Sequence, residues 1–385
     1  MGQPSVTVRE VRTPNEWRTL IQFPWKLYAD DPNWVPPLIN SQRRLAFDRT
    51  RNPAWEYMEG AFFIAWRGEQ PVGTIGAGIN HRHNTFHDEK SGVFGHFEVY
   101  DDPEAAAALL DTAAGWVRSR GMTTIRGPMS MTVNDIIGCL VDGFDLPPVL
   151  LMAYNPPYYG SLIEAAGFEK EIDLWAWYGT GELISGSEGF QKMLRIAEKQ
   201  RARKQFTVRP GNVKELEREI RKITTVYQAS WTKNWGYVPP TEREVDNLVQ
   251  EMKMFYDSRL GYFAEKDGEP LGFILILPDF NQVLLPAYSR PGVPEWVTLL
   301  KAGWHWKIRP KINSIRVLLL GVREEYRGQG VDAMLMLTAF KAAIEAGYQH
   351  GEASWILENN DAMNRVLDTI GMKVYKTYRI YQKAL

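Results

Sequence analysis

Residues 315–335 read IRVLLLGVREEYRGQGVDAML, and the order of residue types in them decides the fold. From Ile315 to Val322 the run is apolar apart from Arg316, the signature of a buried strand. A charged turn and the sequence RGQG follow, and a helix begins near Val331. Glycines at a strand-to-helix junction let the backbone turn tightly and aim its N–H groups outward. The helix N-terminus adds about half a positive charge at the same place. Gly328, Gln329, Gly330 and Val331 are thus candidates to cradle a polyanion such as a pyrophosphate, and Arg327 can add a charge-assisted contact.

Working outward, the hairpin ahead of this strand occurs twice in the chain. Residues 62–75, FFIAWRGEQPVGTI, align without a gap to residues 261–274, GYFAEKDGEPLGFI. Both are strand–turn–strand patterns. Asn155 to Gly167 matches Asn359 to Gly371 in length, and a helix-like run ending in glycine precedes each, 104–121 and 331–347. Each half reads as strand, helices, hairpin, strand, helix, strand, helix, strand. The expected fold class is therefore α/β (α+β): two mixed-sheet domains in tandem, with helices on both faces. The halves are placed at 1–180 and 206–385. Between them, 181–205 reads as a Gly/Ser-rich junction followed by a basic helix carrying Lys192, Arg195, Lys199, Arg201, Arg203 and Lys204. That basic run is either a solvated face or an anion contact. Each half also carries an insertion, 127–148 in the first and 285–310 in the second, too apolar and aromatic for disorder.

The bulk numbers agree with two domains. The chain has 385 residues, and single cores stop growing at about 250–300. Lys plus Arg (45) nearly balance Asp plus Glu (46), so no global field holds nucleic acid. Cys139 is the only cysteine, which excludes an internal disulfide and a Cys-based zinc site. The spacing of His81, His83 and His87 offers no fourth ligand, and no metal is expected. No secretory signal and no spanning apolar run are expected, so the cytoplasm is the expected compartment. The 14 Trp residues, several in Pro-rich stretches, suit either a binding cleft or a Trp-rich core.

The Arg327–Gly328–Gln329–Gly330 stretch, with Tyr326 before it and Asn359, Asn360 and Gly371–Met372 after it, resembles the acyl-CoA-binding pattern of the GNAT acyltransferase superfamily. That pattern is Arg or Gln, two residues, Gly, one residue, then Gly or Ala. Arg327, Gly330 and Asp332 stand in those places, so Asp332 replaces the small residue. Its carboxylate either repels a phosphate or caps the helix and points away. The resemblance implies acetyl-CoA or a longer acyl-CoA as co-substrate and an amine as acceptor. It places the pantetheine arm along the 315–322 strand, Leu320, Gly321 and Val322 beside the thioester, and Asn359 at the cofactor opening. A Tyr that many members carry in the last helix falls at or near Leu367 here. The first half matches in layout only: Asp101, Asp102 and Glu104 stand where a phosphate cradle would be, so that half is expected to have lost the cofactor.

Direct attack by an amine needs a proton acceptor. Glu98, within the apolar run VFGHFEV, is one candidate, and His83, alternating with His81 along INHRHNTFH, is another. Glu358, at the end of ASWILE, is the third. Their structural alternatives are a surface strand residue, loop hydrogen-bonders and a helix N-terminal charge. Trp235 and Tyr237 in WTKNWGYVPP, with Tyr288 in the second insertion, are the candidate acceptor contacts. They suit an apolar or amphipathic partner, and peripheral membrane contact fits with that. The whole chain resembles a group of bacterial tandem GNAT proteins of this length, and for some of them the resemblance implies acylation of long-chain amino lipids such as sphingoid bases. A small amine as acceptor, or a non-catalytic protein holding a CoA ester or lipid, stays open, as does the oligomeric state.

Overall fold

Two apolar runs joined by a polar turn close into a hairpin when left-handed residues sit at the turn, and this chain does so twice. A computed structural model describes residues 4–130, 135–232, 234–255, 257–309 and 312–385. Residues 131–134 of the first insertion, Lys233 of the 231–240 stretch and the side chain of Lys204 lie outside the described residues. The strands, in chain order, are β1 (Val6–Glu10), β2 (Met58–Arg67), β3 (Gln70–Asn80), β4 (Ser91–Val99), β5 (Thr124–Gly127), β6 (Cys139–Asp142) and β7 (Glu169–Thr180). After them come β8 (Thr207–Pro210), β9 (Gly261–Lys266), β10 (Glu269–Pro278), β11 (Ser314–Val322), β12 (His350–Leu357) and β13 (Lys373–Ala384). The β2–β3 turn has Gly68 at φ 61°, and the β9–β10 turn has Asp267 and Gly268 at 54° and 85°.

The chain forms two compact units. One is Met1–Leu174 with Val283–Arg309 and Lys376–Leu385; the other is Trp175–Gln282 with Pro310–Tyr375. In the first unit the order is β1-β2-β3-β4-β5-β13, antiparallel except for the β4/β5 pair. In the second the order is β8-β9-β10-β11-β12-β7, with β11/β12 the parallel pair. Each unit thus completes its sheet with a strand from the other half of the sequence: residues 376–384 of β13 in the first, residues 175–180 of β7 in the second. Of the 285–310 insertion, read in the second half, residues 285–309 lie in the first unit, and Pro310 is outside the described residues. The 181–205 segment is helical over Gly181–Gly186 and Glu188–Lys204, and its Phe190 and Ala197 belong to the core of the second unit.

Both units carry the same irregularity. Between Gly95 and Glu98, β4 spends three steps where β3 spends two, and His96 takes φ 47°. Between Val317 and Leu319, β11 spends two steps where β10 spends one. A bulge of this kind bends its strand and ends regular pairing beyond it. The parallel ladders do end there, at Val93↔Arg126 and at Val317↔Ala353. The hairpin alignment makes Thr74 equivalent to Phe273, and their partners are Glu98 and Gly321. Glu98 therefore occupies in the first unit the position that Gly321 holds in the second.

One local expectation fails. The stretch 81–87 is a helix, His81–His87, and not an alternating strand. Asn80 caps it by accepting from the His83 N–H at 2.9 Å, a local bond that competes with strand pairing. Residues two apart on a helix do not share a face, so His81 and His83 point to different surroundings.

Candidate functional site

In the second unit β11 passes through a short 3₁₀ turn, Glu324–Tyr326, into the helix Val331–Glu345. That helix buries Val331, Met334, Leu335, Leu337, Ala339, Phe340 and Ala343, so its position is fixed by packing. Truncating a residue such as Leu335 to Ala would cost about 2–5 kcal/mol. Gly328 and Gly330 both sit in the left-handed region, at φ 66° and 84°. Gly330 is the N-cap, and no side chain caps the helix. A Cβ on Gly330 would meet Gln200 Cβ at 3.1 Å, so the residue is held by conformation and by space. Among the described residues, the amides of Gly328, Gly330, Val331, Asp332 and Ala333 have no acceptor, whereas Arg327 N reaches Glu324 O at 3.2 Å and Gln329 N reaches Tyr326 O at 3.4 Å. Five unsatisfied donors at one turn are a ready anion site.

Arg327 does something other than reach outward. Its Nε donates to Val322 O at 3.3 Å and a terminal nitrogen donates to Ser230 O. It therefore ties the end of β11 to the helix Leu216–Ser230 and shapes the turn from behind. Gln329 is half-buried and donates to Glu325 O at 2.6 Å. Asp332 stands in the first helical turn, where a carboxylate is favoured by the helix dipole, but makes no capping bond. Past the end of the ladder with β12, Leu318, Leu319 and Leu320 keep accessible surface in the middle of a sheet, and Gly321 and Val322 are buried. Among the described residues, this edge of β11 has no ladder partner beyond Val317.

The base of this opening holds a group that sequence reasoning missed. Arg316 and Glu352 are direct partners across β11/β12, both buried. Ser354 Oγ donates to Glu352 and accepts from Arg316 Nε at 3.0 Å; Tyr375 OH donates to Glu352 as well. Charges inside apolar runs were the available signal, because a buried ion must be paired. Tyr178 OH and His350 Nδ1 lie 2.6 Å apart in the same unit. Glu358 sits in the turn after β12, Asn359 beside it is exposed, and Asn360 caps the helix Asp361–Thr369. Leu367 is buried. Trp235 is half-buried, whereas Tyr237 is buried with its ring centroid 5.4 Å from that of Tyr227, so Tyr237 packs in the core of its unit rather than lining a surface.

The first unit answers the same positions differently. Asp102 caps the helix Pro103–Arg118, accepting from Ala105 N at 3.1 Å, and Arg67 clamps Asp102 and Glu104 at 2.8 Å each. Past the end of the β4/β5 ladder, and just before the bulge, the strand edge is taken: Met129 N donates to Phe94 O at 2.8 Å, and a Cβ on Gly95 would lie 1.8 Å from Met129 O. Glu98 accepts from Tyr28 OH at 2.7 Å and Tyr159 OH at 3.1 Å. Its surroundings enclose it and burial raises its pKa, against the pull of Arg43, Tyr28 and Tyr159. His83 is elsewhere in the unit, 3.3 Å from Glu89 and 3.4 Å from Arg126. Burial, with Arg126 and His87, lowers its pKa to about 4, which leaves it neutral and weakly basic at pH 7. Tyr288, at φ 48°, lies in this unit too, under the Arg290 guanidinium and 6.4 Å from the Trp34 ring. Cys139 is buried and its thiol pKa is pushed up to about 12 by burial, so it is no nucleophile. Among the described residues no group of His, Cys, Asp and Glu could hold a metal, and no helix is long and apolar enough to cross a membrane.

Comparison with known proteins bears on the family and the fold. The model of the acetyltransferase (GNAT) family matches residues 220–372, which include the RGQG turn. The chain is 33% identical over 383 residues to protein YghO of Escherichia coli (strain K12), covering 98% of this chain and 95% of the relative. It is 32% identical over 388 residues to a bacterial ceramide synthase of Caulobacter vibrioides, covering 99% and 98%. Among solved structures, a tandem GNAT protein from the clavulanic acid biosynthesis pathway superposes with a TM-score of 0.54 at 12% identity, covering 99% of this chain and 98% of that one.

Proposed function

This chain belongs to the GNAT acyltransferase family, and from that premise we propose that it transfers an acyl group from acyl-CoA to the amine of a long-chain amino lipid. The observation that carries the cofactor half of this reading is the ring of five unpartnered amides around Gly328–Ala333, behind a left-handed glycine cap. The acceptor half is supported by the full-length relative named a bacterial ceramide synthase, since ceramides are N-acylated long-chain amino alcohols. In the reaction the amine nitrogen attacks the thioester carbonyl, the C–S bond breaks, and the amine proton ends on a base or on the departing thiolate. An amine with a pKa near 10.4 is neutral in only about one part in 2,500 at pH 7, so a proton acceptor matters. His83, with its lowered pKa, serves poorly. Glu98, whose pKa is raised by burial, and Glu358 are the two carboxylates to replace.

Release of CoA thiol is the assay, run with acetyl-, octanoyl- and palmitoyl-CoA against a sphingoid base and short soluble amines. Turnover with the sphingoid base is expected. Replacing the operative carboxylate, by Glu98→Gln or Glu358→Gln, should lower kcat by about 10²–10⁴. A second reading is favoured by one observation: Leu367 is a buried aliphatic residue where many relatives supply a thiolate acid. CoA binding without turnover on any amine would establish that reading, a binding protein, and sink the first.

A further inference from the structure

The helix Glu295–Lys307 in the first unit shows two faces of unusual character. Its inner face is anchored: Thr298 and Ala302 are buried, and the Glu295 carboxylate accepts from Asn40 N at 2.6 Å and Ser41 N at 3.3 Å. The segment is also pinned just upstream, where Trp25 Nε1 donates to Ser289 O at 2.7 Å. Its outer face carries Trp296, Leu300, Trp304 and Ile308 at four-residue spacing, exposed by 62%, 65%, 55% and 61%. Leu299 and Val293 extend the same patch. Residues four apart form one stripe on a helix, so this is a continuous apolar surface held rigidly outward.

The charge around the stripe is one-sided. Arg290, Lys301, Lys307 and Arg309 surround it, and none makes an ion pair among the described residues. Glu295, the single carboxylate of the 283–309 segment, is already used as the anchor. The whole chain, by contrast, has a net charge of -1. Trp and Leu outward with Lys and Arg at the margins is the arrangement that lies in a bilayer interface, rings at the headgroup level and cations on anionic phosphates. We propose that this helix docks the protein on an anionic lipid bilayer, where Trp296, Leu300, Trp304 and Ile308 enter the headgroup boundary. A second copy of the chain would present the same four cations, and like charges would oppose that pairing.

This inference deepens the proposed function, because a long-chain amine resides in a bilayer. The full chain should sediment with phosphatidylcholine vesicles that contain phosphatidylglycerol, less so without it, and less as salt rises. The triple variant W296A/L300A/W304A should lose vesicle binding by about tenfold or more, since each lost side chain removes apolar area from the interface. Its Tm and its CoA-induced thermal shift should stay native, which shows that it folds. Native protein that stays in the supernatant, or a triple variant that sediments like the native chain, would overturn the proposal. So would a native dimer that the triple variant converts to a monomer without any vesicle binding. Vesicle binding without acyl transfer would leave docking standing and sink the amino-lipid reading; turnover without vesicle binding would do the reverse.

Discussion

The two units begin corresponding helices in opposite ways. In the first, Asp102 sits on the helix start, its carboxylate bonded to Ala105 N and paired with Arg67, and Glu104 beside it accepts from Val6 N at 3.1 Å. In the second, Gly330 takes the same place, brings no side chain, and leaves the first-turn amides unsatisfied. Glycine at an N-cap costs only about a few tenths of a kcal/mol relative to a side-chain cap, so the second unit leaves its donors free at small expense in stability. The strands behind them differ in the same sense. Past its ladder with β5, β4 is covered by Met129, while the β11 ladder with β12 stops at Val317 and leaves Leu318–Leu320 accessible. One architecture can thus leave the amides of a helix start free or occupy them by the choice of one cap and one adjoining segment.

The strongest way to break this contrast is Gly330→Val. At φ 84° a β-branched residue is strained by about 1–2 kcal/mol, and its Cβ would press on Gln200. Straightening the turn would redirect the amides on both sides of it. Calorimetric titration with CoA should show affinity falling by about a hundredfold or more. Native affinity in this variant would mean that the coenzyme binds elsewhere.

Arg327→Ala should act more mildly and through the scaffold. The guanidinium holds Val322 O and Ser230 O; the side chain is exposed, so each bond contributes about 1 kcal/mol rather than the larger figure of a buried charged donor. Its loss should lower Tm and weaken CoA by about tenfold through a looser turn. The salt dependence of CoA affinity should keep its native slope, because Arg327 is a brace and not a phosphate ligand. A flatter slope would put the guanidinium on the phosphate after all.

Much of this was legible in the sequence, and the limits have physical reasons. The order strand, RGQG, helix is local chemistry: apolar run, two glycines in left-handed conformation, apolar periodicity. The repeated hairpin was legible for the same reason. The exchange of β7 and β13 was not, because strand pairing is decided by which distant edge is available, and both strands alternate well enough for either sheet. The helix at 81–87 has no apolar periodicity, so only the Asn80 cap could have announced it. The sequence shows the charge of Arg327 but not that two of its nitrogens hold Val322 O and Ser230 O. Tyr237, in a Pro-rich aromatic stretch that reads as surface, is buried.

Glu98→Gln tests the position where the units diverge along the strand. Burial raises the pKa of Glu98, so the folded state favours its protonated form. Folding then binds protons, and native stability falls as pH rises from the ordinary carboxylate value, near 4.3, through the raised folded value. Glutamine carries no such penalty and can still accept from Tyr28 and Tyr159. The variant should melt higher than the native chain at pH 7, and the gap should close toward pH 4. A variant less stable at neutral pH would show that Arg43 outweighs burial and that Glu98 is held as the anion.

Asp332→Asn gives the smallest expected change and decides how the acidic residue in the first turn of the helix is oriented. A carboxylate about 5 Å from a phosphate repels it by about 3 kcal/mol at an effective dielectric of 20, but by only about 0.8 kcal/mol at that of water. Asp332 is half-exposed, which favours the lower figure. CoA affinity should therefore rise about fourfold in low salt and less in high salt. Helix stability should fall by about 0.3–1 kcal/mol as the dipole loses its partner. Unchanged affinity with reduced stability would mean that the carboxylate faces away from the ligand and serves the helix alone. A loss of affinity would mean that Asp332 orients the amides beside it, and the free-donor account of the second unit would then need a side chain that the first unit, with Asp102, already has.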